Sequence, residues 1–154
     1  MKRIYRPLLT LAAACLFLAS AVTPAHATDL GESVDKDYEE HLGELFDHFH
    51  RNPALSLVEY KTAARMAREL KAVGFDVTEG VGGTGLVALL KNGEGPTVMM
   101  RADMDGLPVE EKSGLPNASK AMQVSPITGK EVPVMHACGH DVHITSLVGT
   151  DRHM

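Results

Sequence analysis

The feature that most constrains the fold of this chain is a change of pattern at Gly74. Before that residue, apolar side chains recur at the spacing of amphipathic helices, over residues 33–50 and from residue 56 to Val73. After it come short segments rich in β-formers, "FDVTEGV", "LVALLK" and "TVMM", which the turn-like stretches "GGTG" and "NGEGP" separate. The chain is therefore predicted to fold as an α/β domain.

The pattern of each segment predicts where a helix, a strand or an irregular stretch lies. The first helix should end near Pro53, and its apolar face consists of Val34, Tyr38, Leu42, Leu45, Phe46 and Phe49. Ser56 and Glu59 have the spacing of a capping box at the start of the second helix. "TVMM" is continuously apolar, as in a strand covered on both faces. Residues 106–133, with four prolines, predict a long irregular segment, and a helix of one or two turns should begin at Asp141.

The first 27 residues have the three-part pattern of a secretory signal peptide. Basic residues within the first six positions precede an apolar run, and "AHA" supplies a cleavage site after residue 27. The alternatives are a membrane anchor and a lipoprotein signal with Cys15 lipidated, but the apolar run is shorter than the ~18 residues of a span. We expect a signal peptide over residues 1–27 and a mature domain over 28–154, periplasmic or secreted, with no membrane span after cleavage.

Charge and cysteine usage narrow the possible partners. The net charge of the chain is −5, and the signal segment has three basic and no acidic residues, so the mature chain is more acidic still. An acidic exported protein is not expected to bind nucleic acid, because nucleic-acid phosphates need basic partners. After cleavage Cys138 is the one cysteine left, so an internal disulfide cannot form.

Two aspartates follow the apolar strand candidate in "RADMD". Asp103 and Asp105 are two residues apart, so in an extended segment both carboxylates point to the same side. The carboxyl end of a strand in an α/β sheet is where such folds place their ligands. A functional pair and a solvated loop remain equal alternatives from this spacing.

A second constellation is "MHACGHDVH". His136, Cys138 and His140 are spaced by two, and His143 would join His140 on a helical turn. Thiolate and imidazole are good ligands for zinc and similar ions, and Asp141 could orient an imidazole. The alternatives are a polar surface turn and a reactive thiol whose pKa is lowered by neighbouring histidines.

Taken together, "MRADMDGLPVEEKSGLP", "ASK" and "MHACGHDVH" resemble the metal-dependent amidohydrolases of the aminoacylase and carboxypeptidase family. The subgroup that the chain resembles includes hippurate hydrolase, N-acyl-amino-acid amidohydrolases and plant auxin-conjugate hydrolases. "HRNPALS" and "GVGGTGLVALLKNGEGPTV" are also similar, so the resemblance extends over residues 38–149. It implies the N-terminal part of a three-layer, zinc-peptidase-like catalytic domain, which is incomplete here and has no lid or dimerisation domain.

The resemblance also implies roles for single residues. Cys138 and His140 match two ligands of a site for two divalent ions, which are zinc, manganese or cobalt. Asp105 matches the catalytic-site aspartate that lies behind a metal ligand. Asp103 falls where distant relatives have a metal-binding histidine. Supporting roles, rather than roles as ligands, are implied for the other histidines of the motif, His136 and His143.

The implied activity is hydrolysis of the amide bond of N-acyl amino acids or small peptides, with a homodimer in the full-length enzyme alone. The family's Glu-Glu pair, which supplies the general base, follows the cysteine motif, whereas "VEE" (residues 109–111) precedes it. Later histidine ligands also have no match, so the isolated chain is predicted to be inactive. Ala54 replaces a usual acidic residue, a mild change if the site lies elsewhere. The alternatives are a non-catalytic exported metal-binding module and a reactive thiol at Cys138.

Overall fold

The computed structural model describes residues 30–154, and the predicted signal peptide lies outside the described residues. The helices are α1 (Leu30–Asp37), α2 (Gly43–Arg51), α3 (Tyr60–Ala72) and α4 (His140–Arg152), and a π-helical segment (Tyr38–Leu42) joins α1 to α2. The strands are β1 (Asp76–Val81), β2 (Gly85–Leu89), β3 (Ala121–Val124) and β4 (Glu131–Val134). None of the helices between residues 30 and 154 has the length and apolar character needed to cross a membrane.

The first predicted helix is confirmed, but the π-helical segment changes its buried face. Leu42, Leu45 and Phe49 are buried as predicted, whereas Val34 and Tyr38 are exposed. A π turn holds more residues than an α turn, so the two halves of the helix are out of phase. Asp37 is consequently the residue of α1 that turns inward. Its carboxylate accepts hydrogen bonds from the Arg152 guanidinium at 2.6–3.0 Å.

The capping box predicted at Ser56 is wrong. The second helix, α3, begins at Tyr60, after Glu59, and no side chain caps it. Leu57 has a positive φ of 74°, which a helix cannot accommodate. The Ser56 hydroxyl donates instead to Asp105, and Glu59 accepts a hydrogen bond from Thr84. Ser56 and Glu59 do have the spacing of a capping box, but their side chains bind residues from later parts of the chain instead.

Two antiparallel hairpins contain all the strands of residues 30–154. The first, β1 with β2, confirms the turn predicted at "GGTG", and its register shifts between Glu79 and Val81. The second, β3 with β4, falls almost entirely within residues 106–133, which were predicted to be irregular. Its strands have four residues each and one includes Pro133, so neither resembles a strand in isolation.

The strand predicted at "TVMM" is absent from the described structure. Residues 97–100 have no ladder partner, and the side chains of Val98 and Met99 are 81% and 85% exposed. A strand needs a neighbour to satisfy its backbone hydrogen bonds, and neither hairpin provides one here. The prediction of a strand covered on both faces is therefore wrong for residues 30–154.

Helix α4 closes the core and is longer than predicted. It continues through Asp151 to Arg152 instead of ending after one or two turns. Its packing is tight, because a Cβ at Gly149 would lie 2.9 Å from Leu42 Cδ1. The buried core cluster consists of Leu42, Leu45, Phe49, Met66, Ile144 and Val148. This core fixes α4 against α2, and the residues of the candidate site precede or begin α4.

Candidate metal centre

The centre of the candidate site is the contact between Asp105 and His140. His140 Nδ1 lies 2.9 Å from both the carboxylate Oδ1 and the backbone carbonyl oxygen of Asp105. A carbonyl oxygen can only accept, so Nδ1 carries the proton and Nε2 presents its lone pair. This is the orientation that a carboxylate imposes on a metal-binding histidine.

Asp105 is itself held in place. Ser56 Oγ donates to Asp105 Oδ2 at 2.5 Å. Burial works against the carboxylate charge, but the Ser56 hydrogen bond and the nearby His140 lower the pKa of Asp105 below its ordinary value. The side chain is therefore ionised at neutral pH and is available to fix the His140 tautomer.

The backbone next to Asp105 passes through a narrow gap. The Gly106 N–H donates to the Ala54 carbonyl at 2.6 Å, and Leu107 and Met135 exchange backbone hydrogen bonds at 2.8 and 3.1 Å. A Cβ at Gly106 would lie 2.9 Å from Val134 Cγ1, so glycine is required by this close approach. The expectation that residue 54 is remote from the site is wrong, because Ala54 adjoins it through Gly106.

A second aspartate and a second histidine lie beside His140. One ligand atom each from Asp103, His140 and His143 lie within 4.8 Å of one another. His140 begins α4 and His143 follows three residues later, so their rings stack one turn apart with centroids 5.2 Å apart. As predicted from their spacing, Asp103 and Asp105 both approach one side of the chain, where His140 lies.

The other predicted residues are placed differently. Cys138 is a free, exposed thiol in the turn before α4, and it is not part of the group formed by Asp103, His140 and His143. His136 is buried, and among residues 30–154 neither of its ring nitrogens has a hydrogen-bond partner. Burial lowers the pKa of His136, so its imidazole is neutral. The roles of Cys138, His140 and Asp105 in catalysis remain predictions.

An additional cluster next to the site was missed from the sequence. His50 Nδ1 lies 2.7 Å from Asp141 Oδ2, and His50 Nε2 lies 3.2 Å from Glu111 Oε1. Burial opposes the charge, but these two hydrogen bonds raise the pKa of His50. Both nitrogens face carboxylates, so both donate and the imidazole is a cation.

Glu111 links this cluster to the loop after Gly106. Its oxygens also accept hydrogen bonds from the Ser119 N–H and the Ser113 hydroxyl, each at 2.6 Å. Burial again opposes ionisation, but these donors and His50 lower the pKa of Glu111. "VEE" therefore contributes a carboxylate that anchors a loop. The sequence offered no signal for this pairing, because Glu111 lies 61 positions from His50.

Comparisons with known proteins extend this description, although no family model matches the chain. Thermostable carboxypeptidase 2 of Saccharolobus solfataricus is 41% identical over 116 residues, which cover 74% of this chain and 27% of that protein. Hippurate hydrolase of Campylobacter jejuni is 40% identical over 113 residues, which cover 73% and 27%.

The solved structures agree with these sequence relatives. A dinuclear metal-binding peptidase of the M20 family from Bacillus subtilis matches with a TM-score of 0.64 and 32% identity, over 77% of this chain and 31% of that chain. The chain thus spans between 27% and 31% of the length of these three proteins. The predicted α/β class is confirmed, as part of a larger fold.

Proposed function

Because the chain belongs to the metal-dependent amidohydrolase family, we propose that it supplies part of the divalent-metal site of a hydrolase. The substrates are N-acyl amino acids or small peptides, in keeping with the hippurate hydrolase and the carboxypeptidase that it resembles. The observation that carries the proposal is the Asp105–His140 contact, which leaves His140 Nε2 free as a ligand. We propose two ions per complete site, as in the dinuclear structural relative.

The residues of this chain hold and orient the ions in this proposal. A bound divalent ion lowers the pKa of water towards ~7 and polarises an amide carbonyl. Cys138 and His140 act as ligands, and Asp105 keeps the proton on His140 Nδ1. Ser56 holds Asp105 in turn. The donor set of thiolate, imidazole and carboxylate suits zinc and also accepts cobalt or manganese.

A chimera tests this function. Residues 38–149 would replace the matching segment of the Campylobacter hippurate hydrolase, and hydrolysis of hippurate would be measured. We expect the chimera to be active and His140→Ala to lower its kcat/KM by more than about 100-fold, because a ligand is lost. The matched control is His48→Ala, a histidine of α2. A folded, metal-loaded chimera without activity contradicts the proposal.

The isolated chain is the second arm of this experiment. We expect it to be monomeric, to bind metal and to leave hippurate intact, because its sequence has no match for the Glu-Glu pair that supplies the family's general base. This outcome also fits a non-catalytic metal-binding module. The short distances between the ligand atoms of Asp103, His140 and His143, all within 4.8 Å, favour such a module. The chimera distinguishes the two functions. A part of a hydrolase predicts hydrolysis of hippurate by the chimera, whereas a non-catalytic metal-binding module predicts none.

We also propose that the protein is exported and that residues 1–27 are removed. The basic start, apolar run and "AHA" site support this. Expression of the full chain in a Gram-negative host, followed by fractionation and N-terminal sequencing, should place the protein in the periplasm with Thr28 as its first residue. Cytoplasmic protein that still begins at Met1 contradicts the proposal.

A further inference from the structure

A cleft of about 280 Å³ lies next to the candidate metal centre, between the extended segment at residues 100–101 and α4. It is lined by Met100, Arg101, His143, Ser146, Leu147 and Thr150. Cys138, His140 and Asp105, which act on the metal in the proposed function, are not among these residues. A volume of this size is near the lower end for small-molecule sites, so the cleft suits one small organic group.

Arg101 carries the one permanent charge among the residues that line the cleft. Its side chain is 75% exposed, and its Nη2 donates to Asp103 Oδ1. A guanidinium has five N–H donors, and within residues 30–154 Arg101 has no second hydrogen-bond acceptor. The remaining N–H groups are therefore available to an anion, and a carboxylate matches their planar fork.

The other side of the cleft combines apolar surface with one hydroxyl donor. Met100 is half exposed, and Leu147 packs against the buried core, which fixes its position. Among the described residues the Ser146 hydroxyl has no hydrogen-bond partner, whereas the Thr150 hydroxyl donates to the Ser146 carbonyl at 2.9 Å. The cleft thus fits a ligand in which a carboxylate and a small apolar group are neighbours.

Asp103 connects the cleft to the metal centre. Its carboxylate binds Arg101, and its ligand atom lies within 4.8 Å of those of His140 and His143. In an N-acyl amino acid, one nitrogen and the α carbon separate the scissile carbonyl from the free carboxylate. A substrate whose carbonyl lies at the metal centre therefore has its carboxylate within reach of Arg101.

We propose that this cleft binds the amino-acid half of the substrate. Arg101 and Ser146 bind the free α-carboxylate, and Met100 and Leu147 contact a small apolar side chain on the α carbon. The inference rests on the proposed function for the substrate class and deepens it. It selects N-acyl amino acids with a free carboxylate over their amides, and apolar side chains over glycine.

Nuclear magnetic resonance titration of the purified full chain tests the cleft. EDTA is present throughout, so that no carboxylate binds through a metal ion. N-acetyl-L-leucine should give saturable shifts of the Leu147 methyl and Ser146 amide signals. N-acetyl-L-leucinamide should bind about fivefold more weakly, the effect of one exposed ion pair. N-acetylglycine should also bind more weakly, because it has no side chain to contact Met100 and Leu147.

Variants assign these effects to single residues. Arg101→Gln should weaken binding of N-acetyl-L-leucine about fivefold and leave binding of the amide unchanged, and Lys130→Gln is its control for loss of a positive charge. Met100→Ala should reduce the preference for N-acetyl-L-leucine over N-acetylglycine. Met99→Ala is the matched control, because Met99 is 85% exposed and does not line the cleft.

Three results overturn the inference. They are an absence of saturable shifts at Leu147 and Ser146, an Arg101→Gln variant that binds the acid as well as the parent does, and an equal loss for acid and amide in that variant. In the hippurate chimera, Arg101→Gln should raise KM about fivefold at unchanged kcat, because ground state and transition state lose the same contact. An inactive chimera contradicts the proposed function alone, since the titration is independent of turnover.

Discussion

Replacing His50 with alanine is expected to lower the free energy of unfolding by about 3–5 kcal/mol, because two buried carboxylates lose their shared cation. The His50 side chain is 14% exposed, and those of Glu111 and Asp141 are 1% and 4% exposed. Without His50, the buried carboxylates of Glu111 and Asp141 lose their ion-pair partner, and little water can reach them to compensate. Urea denaturation followed by circular dichroism measures the change.

The pH dependence of this effect follows from the direction of each pKa shift. The raised pKa of His50 gives stability that is complete below the ordinary value of 6.5 and is lost as pH rises through the folded-state pKa. The lowered pKa of Glu111 gives stability that is complete above 4.5 and is lost as pH falls through the folded-state pKa. The difference between parent and His50→Ala should be largest between these two pH values.

His48→Ala is the control for the His50 variant. It removes a half-buried imidazole from the same helix, and burial together with Arg65 and Arg68 lowers the pKa of His48. Because His48 is not a cation, its loss should change stability less, and the change should not increase towards pH 6. Equal losses in both variants would assign the effect to packing and would reject the ion-pair explanation.

Replacing His140 with alanine is expected to abolish stoichiometric Co²⁺ or Zn²⁺ binding by the full chain. His140 belongs both to the proposed ligand pair with Cys138 and to the group with Asp103 and His143, so its loss removes a ligand from either set. Isothermal titration calorimetry of the parent and variant measures the effect. The expected loss exceeds that of either Asp103→Asn or Cys138→Ser alone.

Asp105→Asn separates orientation from ligation. The amide keeps the shape of Asp105 but loses the charge that holds the proton on His140 Nδ1. We expect affinity for the metal to fall by about 10–100-fold without loss of stoichiometry. Metal binding that is unchanged in Asp105→Asn and in His140→Ala would move the site away from this part of the chain altogether.

Local signals predicted the helices and the first hairpin, because spacing and turn residues act over a few positions. They failed where a distant partner decides the structure. Ser56 has the right spacing for a helix cap, but Asp105, 49 positions away, binds its hydroxyl. "TVMM" has the composition of a strand, but no described strand pairs with it.

The site shows the same division. The motifs identified Asp105 and His140, and the structure brings these two side chains into contact. They did not reveal the cluster around His50, because its carboxylates come from a loop and from α4, 61 and 91 positions away. Nor could they show that Asp103 and His143 approach each other while Cys138 remains outside the group, since this depends on where α4 begins.

The ion pair between Asp37 and Arg152 joins parts of the chain that are 115 positions apart. Closing a loop of that length costs conformational entropy, so we expect this contact to form late in folding. During synthesis, α2 and α3 leave the ribosome well before α4 exists. The apolar side chains of Leu42, Leu45 and Phe49 therefore stay exposed until α4 supplies Ile144 and Val148 to cover them. We therefore expect the newly made first half of the domain to be the stage of synthesis at which exposed apolar surface makes this protein most prone to aggregation.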